Sequence, residues 1–463
     1  MNVIWIVADT FRQDHIGAYG HPYIKTPALD ALAAKSIRFA KHYAGGFPTM
    51  PTRADHATGR WTMSFMGWEP LPESTTTLAQ ILARNGFHTA AIVDTPFYVR
   101  EGMNYDRGFQ TFFMYTGQEG SGTRVRGAGH HEARDLVASW RHESDRNAPQ
   151  TFARAMRWLE RHYKEDFFLY VDTWDPHEPW DAPAYYTEQY LPSYNGEIVQ
   201  PVYARWQDAP GLTEELVNVA HATYCGEITM VDTWIGQLLR RVETMGLLEN
   251  TAIVFTSDHG FYFGEHGGLF GKMTFGKRED GTPHQHGDQD ARWAHSPLYE
   301  ELVRIPLLVY LPGVDAGVYR GSTSVVDVMP TVLDFLGQEV PASVDGVSLL
   351  RQAHDTSAPG REFVVSTIPF ANPGDPVRSV DNIRRQLGAS PVTTVTAGDW
   401  SLLYSMDEGM SELYELSADP RQHKDLIHDR PEVAKELHGL LVKFMRETGV
   451  PDGLLKPRLE IRM

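Results

Sequence analysis

Thr49 and Arg53 lie four residues apart in a segment, 47–59, that could bind an anion. Pro51 and Thr52 suit the first turn of a helix, because proline lacks the N–H that would be unpaired there. The hydroxyl of Thr49 would then lie at a helix N-terminus, where free N–H groups and the helix dipole favour negative charge. Arg53 can offer its planar guanidinium to the same anion. Taken alone, Thr49 could equally be no more than a helix cap.

Two further segments follow apolar runs and contain the residue types of a metal site. Asp9 comes directly after the run 2–8, and Asp258 with His259 comes directly after 252–257. A carboxylate next to an imidazole, with Gly260 allowing the chain to turn, can direct both groups towards one ion. Taken singly, Asp9 could be a helix cap and the Asp258–His259 pair a hydrogen-bonded turn.

Short β-branched runs alternate with helical patterns along most of the chain, which indicates an α/β fold. We predict strands at 2–8, 88–94, 167–172, 252–257 and 305–311. We predict helices near 27–35, 75–85, 150–163, 213–244 and 324–337. Buried strands separated by helices favour a mostly parallel sheet covered on both faces. In such sheets ligands bind at the carboxyl ends of the strands, where Asp9 and Asp258 fall.

The chain, at 463 residues, is too long for one ordinary core. Its character changes near residue 365: 392–404 could form short antiparallel strands and 430–448 a closing helix. We therefore predict a catalytic α/β domain at 1–364 and a smaller α+β subdomain at 365–463. Segments 117–148 and 276–296 lack periodicity, and we expect them to be lids or binding loops.

Charge and cysteine content limit the classes of partner. The formal charge of 42 − 60 = −18 argues against a nucleic-acid or anionic-membrane surface. A small anionic substrate is still compatible, because a bound cation and a few arginines can invert the local field. Cys225 is the one cysteine, so no disulfide can form within the chain. The apolar run at 2–8 lacks a basic region before it and is too short to span a bilayer, so we expect a cytoplasmic protein.

The order of these motifs, together with others between and after them, resembles the sulfatase branch of the alkaline phosphatase superfamily. The further matching segments are 17–20, 175–179, 224–227, 298–301, 327–331 and 412–416. This resemblance covers nearly the whole chain and implies an alkaline-phosphatase-like sheet flanked by helices. It also implies specific residue roles: catalytic Thr49 (the nucleophile), Arg53, His177 and Lys272, and metal-ligating Asp9, Thr49, Asp258 and His259. His177 and Lys272 match positions that contact the ester or protonate its leaving oxygen, with His177 the preferred proton donor.

The chain departs from that family pattern at the nucleophile and at the metal. Sulfatases of this branch carry Cys or Ser that is oxidised to formylglycine, whereas the β-carbon of Thr49 carries a methyl group and cannot become that aldehyde. We therefore expect no formylglycine, as in the threonine-dependent phosphodiesterase and phosphoethanolamine-transferase relatives. Thr10 stands where many sulfatases have a second aspartate, and His259 replaces an asparagine. One carboxylate fewer and one imidazole more favour Mn²⁺ or Zn²⁺ over Ca²⁺.

The resulting hypothesis is a metal-dependent hydrolase of phosphodiesters or phosphonate monoesters with a covalent intermediate on Thr49. The alternatives are a sulfatase that works without formylglycine, a phosphoryl-group transferase, and a non-catalytic anion-binding relative. A threonine introduced at position 49 by engineering also stays open, as does a homo-oligomeric state. A second metal could be held by Asp175, His177 and one histidine among His266, His284 and His286.

Overall fold

A computed structural model describes residues 1–95, 102–115, 140–284, 293–370 and 392–463 of the chain. The central sheet of this part has eight strands. Its members are β1 (Asn2–Ala8), β2 (Ile37–Tyr43), β3 (His88–Val93), β4 (Thr111–Met114), β5 (Phe167–Thr173), β7 (Thr251–Ser257), β12 (Leu307–Tyr310) and β13 (Gly317–Ser324). Short strands beside it are β6 (Ala204–Arg205), β8 (Tyr262–Phe263), β9 (Leu269–Gly271), β10 (Thr274–Phe275) and β11 (Trp293–His295).

The strand order across the central sheet is β13-β2-β12-β7-β1-β5-β3-β4. All neighbours pair in parallel except β12, which runs antiparallel to both β7 and β2. The predicted mostly parallel α/β sheet is therefore confirmed. Sequence patterning did not predict β2, β4 or β13.

Helices cover both faces of this sheet. They are α1 (Pro27–Ala33), α2 (Thr49–Thr58), α3 (Leu78–Arg84), α4 (Asn147–His162), α5 (Ala184–Thr187), α6 (Glu214–Thr244), α7 (Glu265–Gly268), α8 (Glu300–Val303), α9 (Val328–Phe335) and α10 (Leu350–His354). The longest, α6, is preceded by the N-cap residue Thr213, whose side chain accepts a hydrogen bond from the backbone N–H of Leu216.

Strand β1 lies at the centre of the sheet and is apolar on both faces, as a strand between two layers must be. Its odd-numbered side chains, such as Trp5, join the core on the face of α2 and α3. Its even-numbered side chains, such as Ile4 and Ile6, join the core on the face of α1, α4 and α6. Every side chain from Val3 to Ala8 is buried. This packing holds the end of β1, and with it Asp9, in one position.

The C-terminal part forms a second, smaller sheet of four antiparallel strands, in the order β14-β15-β16-β17. Its elements are β14 (Phe363–Thr367), β15 (Thr393–Ala397), β16 (Trp400–Tyr404), β17 (Glu412–Glu415), α11 (Pro431–Glu447) and α12 (Asp452–Leu455). Leu402 and Leu441 pack there with Trp61 and Val325 of the larger part, so one core joins the two. The domain boundary at 364/365 stays a prediction, and it falls inside β14.

Several predicted features lie partly or wholly beyond the described residues. The irregular segment 117–148 is described only from residue 140, and 276–296 only at 276–284 and 293–296.

In the described part of the chain, no helix combines the length and apolar character needed to cross a membrane. The cytoplasmic location and the oligomeric state stay predictions.

Helix α6 is tied to the loop after β1 through one phenol. The hydroxyl of Tyr224 donates to the carbonyl of Thr10 (2.8 Å) and accepts from the N–H of Arg12 (3.0 Å). Tyr224 is fully buried, so neither backbone group has water as a substitute partner.

Replacing Tyr224 with Phe is therefore expected to lower the free energy of unfolding by about 1–3 kcal/mol, because it leaves a buried donor and acceptor unpaired. Urea-induced unfolding followed by tryptophan fluorescence measures the change. Tyr310→Phe is the matched control, since the hydroxyl of this partly exposed tyrosine makes one bond, to the carbonyl of Leu248 (3.1 Å). Equal losses in the two variants would contradict the role assigned to Tyr224.

Candidate active site

Two carboxylates and an imidazole meet at the carboxyl ends of the neighbouring strands β1 and β7. Asp9, Asp258 and His259 are completely buried. One ligand atom from each lies within 4.8 Å of the others. The Nε2 atom of His259 is 3.5 Å from Asp258 Oδ2 and 3.9 Å from Asp9 Oδ1. The structure thus brings together the three side chains that the sequence predicted as metal ligands.

The imidazole of His259 has the tautomer that a metal ligand needs. Its Nδ1 lies 3.0 Å from the carbonyl oxygen of Gly260, which can only accept, so Nδ1 carries the hydrogen. Burial lowers the pKa of His259 to about 3, and the ring is neutral at physiological pH. The lone pair of Nε2 is therefore directed towards the two carboxylates.

Asp9 is a buried carboxylate that shares its positive partner, Arg53, with Asp172 and Asp258. Burial, followed by repulsion from Asp258, raises the pKa of Asp9 well above its usual range. Its Oδ2 accepts no hydrogen bond, although Arg53 Nη1 lies 2.9 Å away. A divalent cation held by Asp9, Asp258 and His259 would supply the missing charge, so the residues present fit such an ion.

Arg53 is the cation at the centre of this site, and its side chain is fully buried. Its Nε and Nη2 atoms donate to the two oxygens of Asp172, at 2.9 and 2.8 Å. Its Nη1 atom contacts Asp9 and donates to Asp258. Arg53 therefore joins the ends of β1, β5 and β7.

Asp172 was not among the functional residues predicted from the sequence. The sequence shows it as a single acidic residue next to the end of a largely apolar strand, β5. The two parallel hydrogen bonds from Arg53 to Asp172 fix the orientation of the guanidinium far better than a single hydrogen bond would.

Thr49 is the first residue of α2. At this end of a helix the first backbone N–H groups have no hydrogen-bond partner within the helix. Its side chain is 2% exposed, and its Oγ1 lies 3.3 Å from His259 Nε2. The predicted nucleophile and the predicted metal ligands are thus neighbours.

The two remaining predicted residues, His177 and Lys272, also meet. Lys272 Nζ lies 2.5 Å from His177 Nε2 and 3.7 Å from a carboxylate oxygen of Glu178. The Nδ1–H of His177 donates to the carbonyl of Glu178 (2.8 Å), and its ring stacks on Trp174 with centroids 3.8 Å apart. Burial, and then the charge of Lys272, lower the pKa of His177 well below its usual range. His177 is thus a neutral acceptor for the ammonium of Lys272.

Glu178 and Tyr203 complete this second group, and sequence reasoning assigned neither of them a role. The hydroxyl of Tyr203 donates to Glu178 Oε1, while Glu178 Oε2 faces Lys272. Burial is the main cause of the low pKa of His259, and the positive charge of Lys272 adds to it. Lys272 therefore lies close enough to the ligand cluster to act on its electrostatics.

The alternative of a second metal beside His177 is not assembled within the described residues. No group of potential ligands there combines Asp175 with His177. His266 pairs instead with Glu301 (3.0 Å) and stacks on Tyr299. His286 lies outside the described part of the chain.

Comparison with known proteins identifies the family to which this chain is similar. A protein-family model described as Sulfatase matches residues 1–338. The chain is 27% identical over 480 residues to the ulvan-active sulfatase of Formosa agariphila, an alignment that covers 97% of this chain and 81% of that protein. It is 27% identical over 416 residues to the multifunctional alkaline phosphatase superfamily protein PehA of Trinickia caryophylli, covering 75% and 76%.

A solved structure supports the fold. The phosphonate monoester hydrolase of Agrobacterium radiobacter superposes with a TM-score of 0.75 at 21% identity, covering 96% of both chains. At this identity the similarity concerns the fold, and it confirms the alkaline-phosphatase-like architecture.

The contact between Arg53 and Asp172 should control how well the site binds a cation. In Asp172→Asn the guanidinium loses its paired contact with the Asp172 carboxylate and keeps its contacts with Asp9 and Asp258, so it competes more strongly with a metal ion for these two carboxylates. We expect the affinity for Mn²⁺ to fall by about 10–100-fold, measured by isothermal titration of metal-free protein. Asp94→Asn is the control: this buried carboxylate follows β3 and bonds Thr151 and the N–H of Trp174. Unchanged affinity in Asp172→Asn would refute this role for the residue.

Proposed function

This chain belongs to the sulfatase family and is an ester hydrolase, and we propose that it cleaves phosphodiesters or phosphonate monoesters with Thr49 as nucleophile. The observation that carries the proposal is the position of Thr49 Oγ1, at a helix N-terminus and 3.3 Å from His259 Nε2. Similarity to PehA and to phosphonate monoester hydrolases supports the choice of phosphorus esters. The substrate is a small anionic ester rather than a nucleic acid or a membrane.

Asp9, Asp258 and His259, with the hydroxyl oxygen of Thr49, would hold one divalent cation. Two carboxylates, one imidazole and one hydroxyl favour Mn²⁺ or Zn²⁺ over Ca²⁺. Such an ion, when bound, lowers the pKa of a hydroxyl group and places positive charge opposite the oxygens of an ester.

Thr49 begins the reaction by attacking phosphorus as an alkoxide, after its hydroxyl proton has passed to water. The new bond joins Thr49 Oγ to phosphorus while the bond to the leaving oxygen breaks in line with it. The N-terminal N–H groups of α2 and the guanidinium of Arg53 add positive potential around the phosphoryl oxygens. Water then attacks phosphorus and the bond from Thr49 Oγ to phosphorus breaks. A phosphate monoester or a phosphonate is released, and one proton of the attacking water returns to Thr49 Oγ.

Lys272 is the group that we assign to the leaving oxygen. Its ammonium carries protons and donates to His177, whereas neutral His177 donates through Nδ1 to a carbonyl and accepts at Nε2. This arrangement favours Lys272 over His177 as proton donor, which reverses the order inferred from the sequence. His177 and Glu178 then serve to position Lys272.

A second candidate function is hydrolysis of sulfate esters without formylglycine. It is favoured by the curated relatives named as sulfatases, among them an arylsulfatase of Clostridium perfringens that is 23% identical over 98% of this chain. The threonine at position 49 favours phosphorus esters, because it cannot form the aldehyde hydrate on which sulfate release depends. Transfer of the phosphoryl group to an alcohol in place of water is the third alternative.

Hydrolysis of an aryl phosphodiester, an aryl phosphonate monoester and an aryl sulfate, compared side by side with added Mn²⁺ or Zn²⁺, tests the proposal. We expect a phosphorus ester to give the highest kcat/KM. Thr49→Ala should lower kcat by at least about 10³-fold, because it removes the nucleophile, while Thr49→Ser should retain activity. Thr58→Ala, on the same helix and bonded only to the carbonyl of Ala54 (2.7 Å), is the control. A preference for the sulfate would select the second candidate, and an active Thr49→Ala protein would exclude the threonine mechanism.

The role of Lys272 predicts a dependence on the leaving group. In Lys272→Met, esters of alkyl alcohols should lose about 10²–10⁴-fold in kcat, because their alkoxides need a proton to depart. Esters of 4-nitrophenol, which leaves readily as an anion, should lose far less. Lys277→Met is the control, since this exposed lysine pairs with Asp208. An equal loss for all leaving groups would show that Lys272 binds the substrate without transferring a proton.

A further inference from the structure

Three side chains of metal-binding type meet outside the candidate active site, between the loop after β1 and helix α6. His15 Nε2 lies 2.8 Å from His221 Nε2, and Cys225 Sγ lies 3.8 Å from the same nitrogen. The three potential ligand atoms all fall within 4.8 Å of one another. Two imidazoles and one thiol form a donor set typical of Zn²⁺.

The helix itself places two of these side chains together. His221 and Cys225 are four residues apart on α6, so they project from the same face, one turn above the other. His15 faces them from the short helical turn Gln13–His15, six residues after Asp9. Ligands from two separate elements are thus held at a fixed distance by the packing of α6 against the β1 loop.

The orientation of His15 is the second observation that points to a metal. Its Nδ1 lies 2.8 Å from Asp14 Oδ1, so Nδ1–H donates to the carboxylate and Nε2 keeps its lone pair. A histidine held in this way by a carboxylate is the usual arrangement around metal-ligating imidazoles. Here the lone pair of His15 Nε2 faces His221 Nε2 at 2.8 Å, with Cys225 Sγ 3.8 Å from that His221 nitrogen, and a bound cation would replace these contacts.

Charge and burial around the cluster also suit a cation. Asp14 and Glu265 lie beside it with Arg12 between them, which leaves one negative charge in excess. Burial lowers the pKa of His221 to about 3, so this ring is neutral at physiological pH, as is required of a ligand. His15 and Cys225 are buried while His221 is partly exposed, so the cluster opens to solvent on one side. His21, with its ring centroid 4.8 Å from that of His15, lies next to it.

We propose that His15, His221 and Cys225 bind a Zn²⁺ ion, with water as the fourth ligand. On binding, the thiol of Cys225 releases its proton to solvent and coordinates as a thiolate. The ion joins the loop that carries Asp9 to helix α6 and adds to the tie made by Tyr224. This site is distinct from Asp9, Asp258 and His259, and it does not depend on the reaction proposed above.

Cobalt substitution of the full-length protein tests this assignment directly. Metal-free protein is titrated with Co²⁺, and the thiolate-to-cobalt charge-transfer absorption in the near ultraviolet is recorded. We expect the band in the natural sequence and in the double variant Asp258→Asn, His259→Ala, whose other site is disabled. Cys225→Ser should lack the band, and His221→Ala should weaken it. No band in the natural sequence would overturn the proposal.

Metal content and stability give a second measurement, which covers variants that fold poorly. After dialysis against Zn²⁺ and then buffer, Cys225→Ser should retain about one equivalent of zinc less than the natural sequence. Added Zn²⁺ should raise the Tm of the natural sequence and of His438→Ala, a control that removes a buried histidine from α11. Equal zinc content and equal Tm shifts in Cys225→Ser would show that the cluster is a hydrogen-bonded packing site.

Discussion

Arg53 occupies a fully buried position surrounded by the carboxylates of Asp9, Asp172 and Asp258. Removing several charges from water is costly unless each has a partner, and one guanidinium cannot balance three carboxylates. The remaining negative charge sits between β1 and β7, beside the lone pair of His259. The negative charge that would favour a bound cation therefore arises from the same contacts that hold the three strand ends together. The excess of buried carboxylates over the single guanidinium therefore bears on both the fold and the proposed metal site.

The parallel sheet is what makes this convergence geometrically possible. Strand β1 pairs with β5 on one side and β7 on the other, with Val7 opposite Asp172 and Thr256. Parallel neighbours end at the same edge, so residues that are far apart in sequence arrive at one place. Helix α2 reaches that edge from β2 and contributes both Thr49 and Arg53. Thr49, the proposed nucleophile, is thus held by the same salt-bridge network that holds the proposed metal ligands.

What could be predicted from sequence depended on whether the signal was local. Asp9 and the Asp258–His259 pair follow apolar runs directly, so spacing alone placed them at strand ends. Asp172 looked like the end of a strand, and its pairing with Arg53 becomes visible only when β5 lies next to β1. Strands β2 and β13 were missed because they contain Arg38, Lys41 and Arg320, charged residues that break the apolar pattern. The antiparallel direction of β12 likewise has no signature in its own residues.

The central place of β1 also has a consequence for biosynthesis. This strand leaves the ribosome well before both of its partners, which come at Phe167–Thr173 and Thr251–Ser257. At translation rates of about 5–20 residues per second, β1 waits on the order of ten seconds or more for its second neighbour. Until β5 has also emerged, this apolar segment, with Trp5 at its middle, has neither of its neighbours to pair with. The edge of the sheet that carries Asp9, Asp258 and His259 can therefore assemble only after residue 259 has emerged, because it depends on pairing between strands that are distant in sequence.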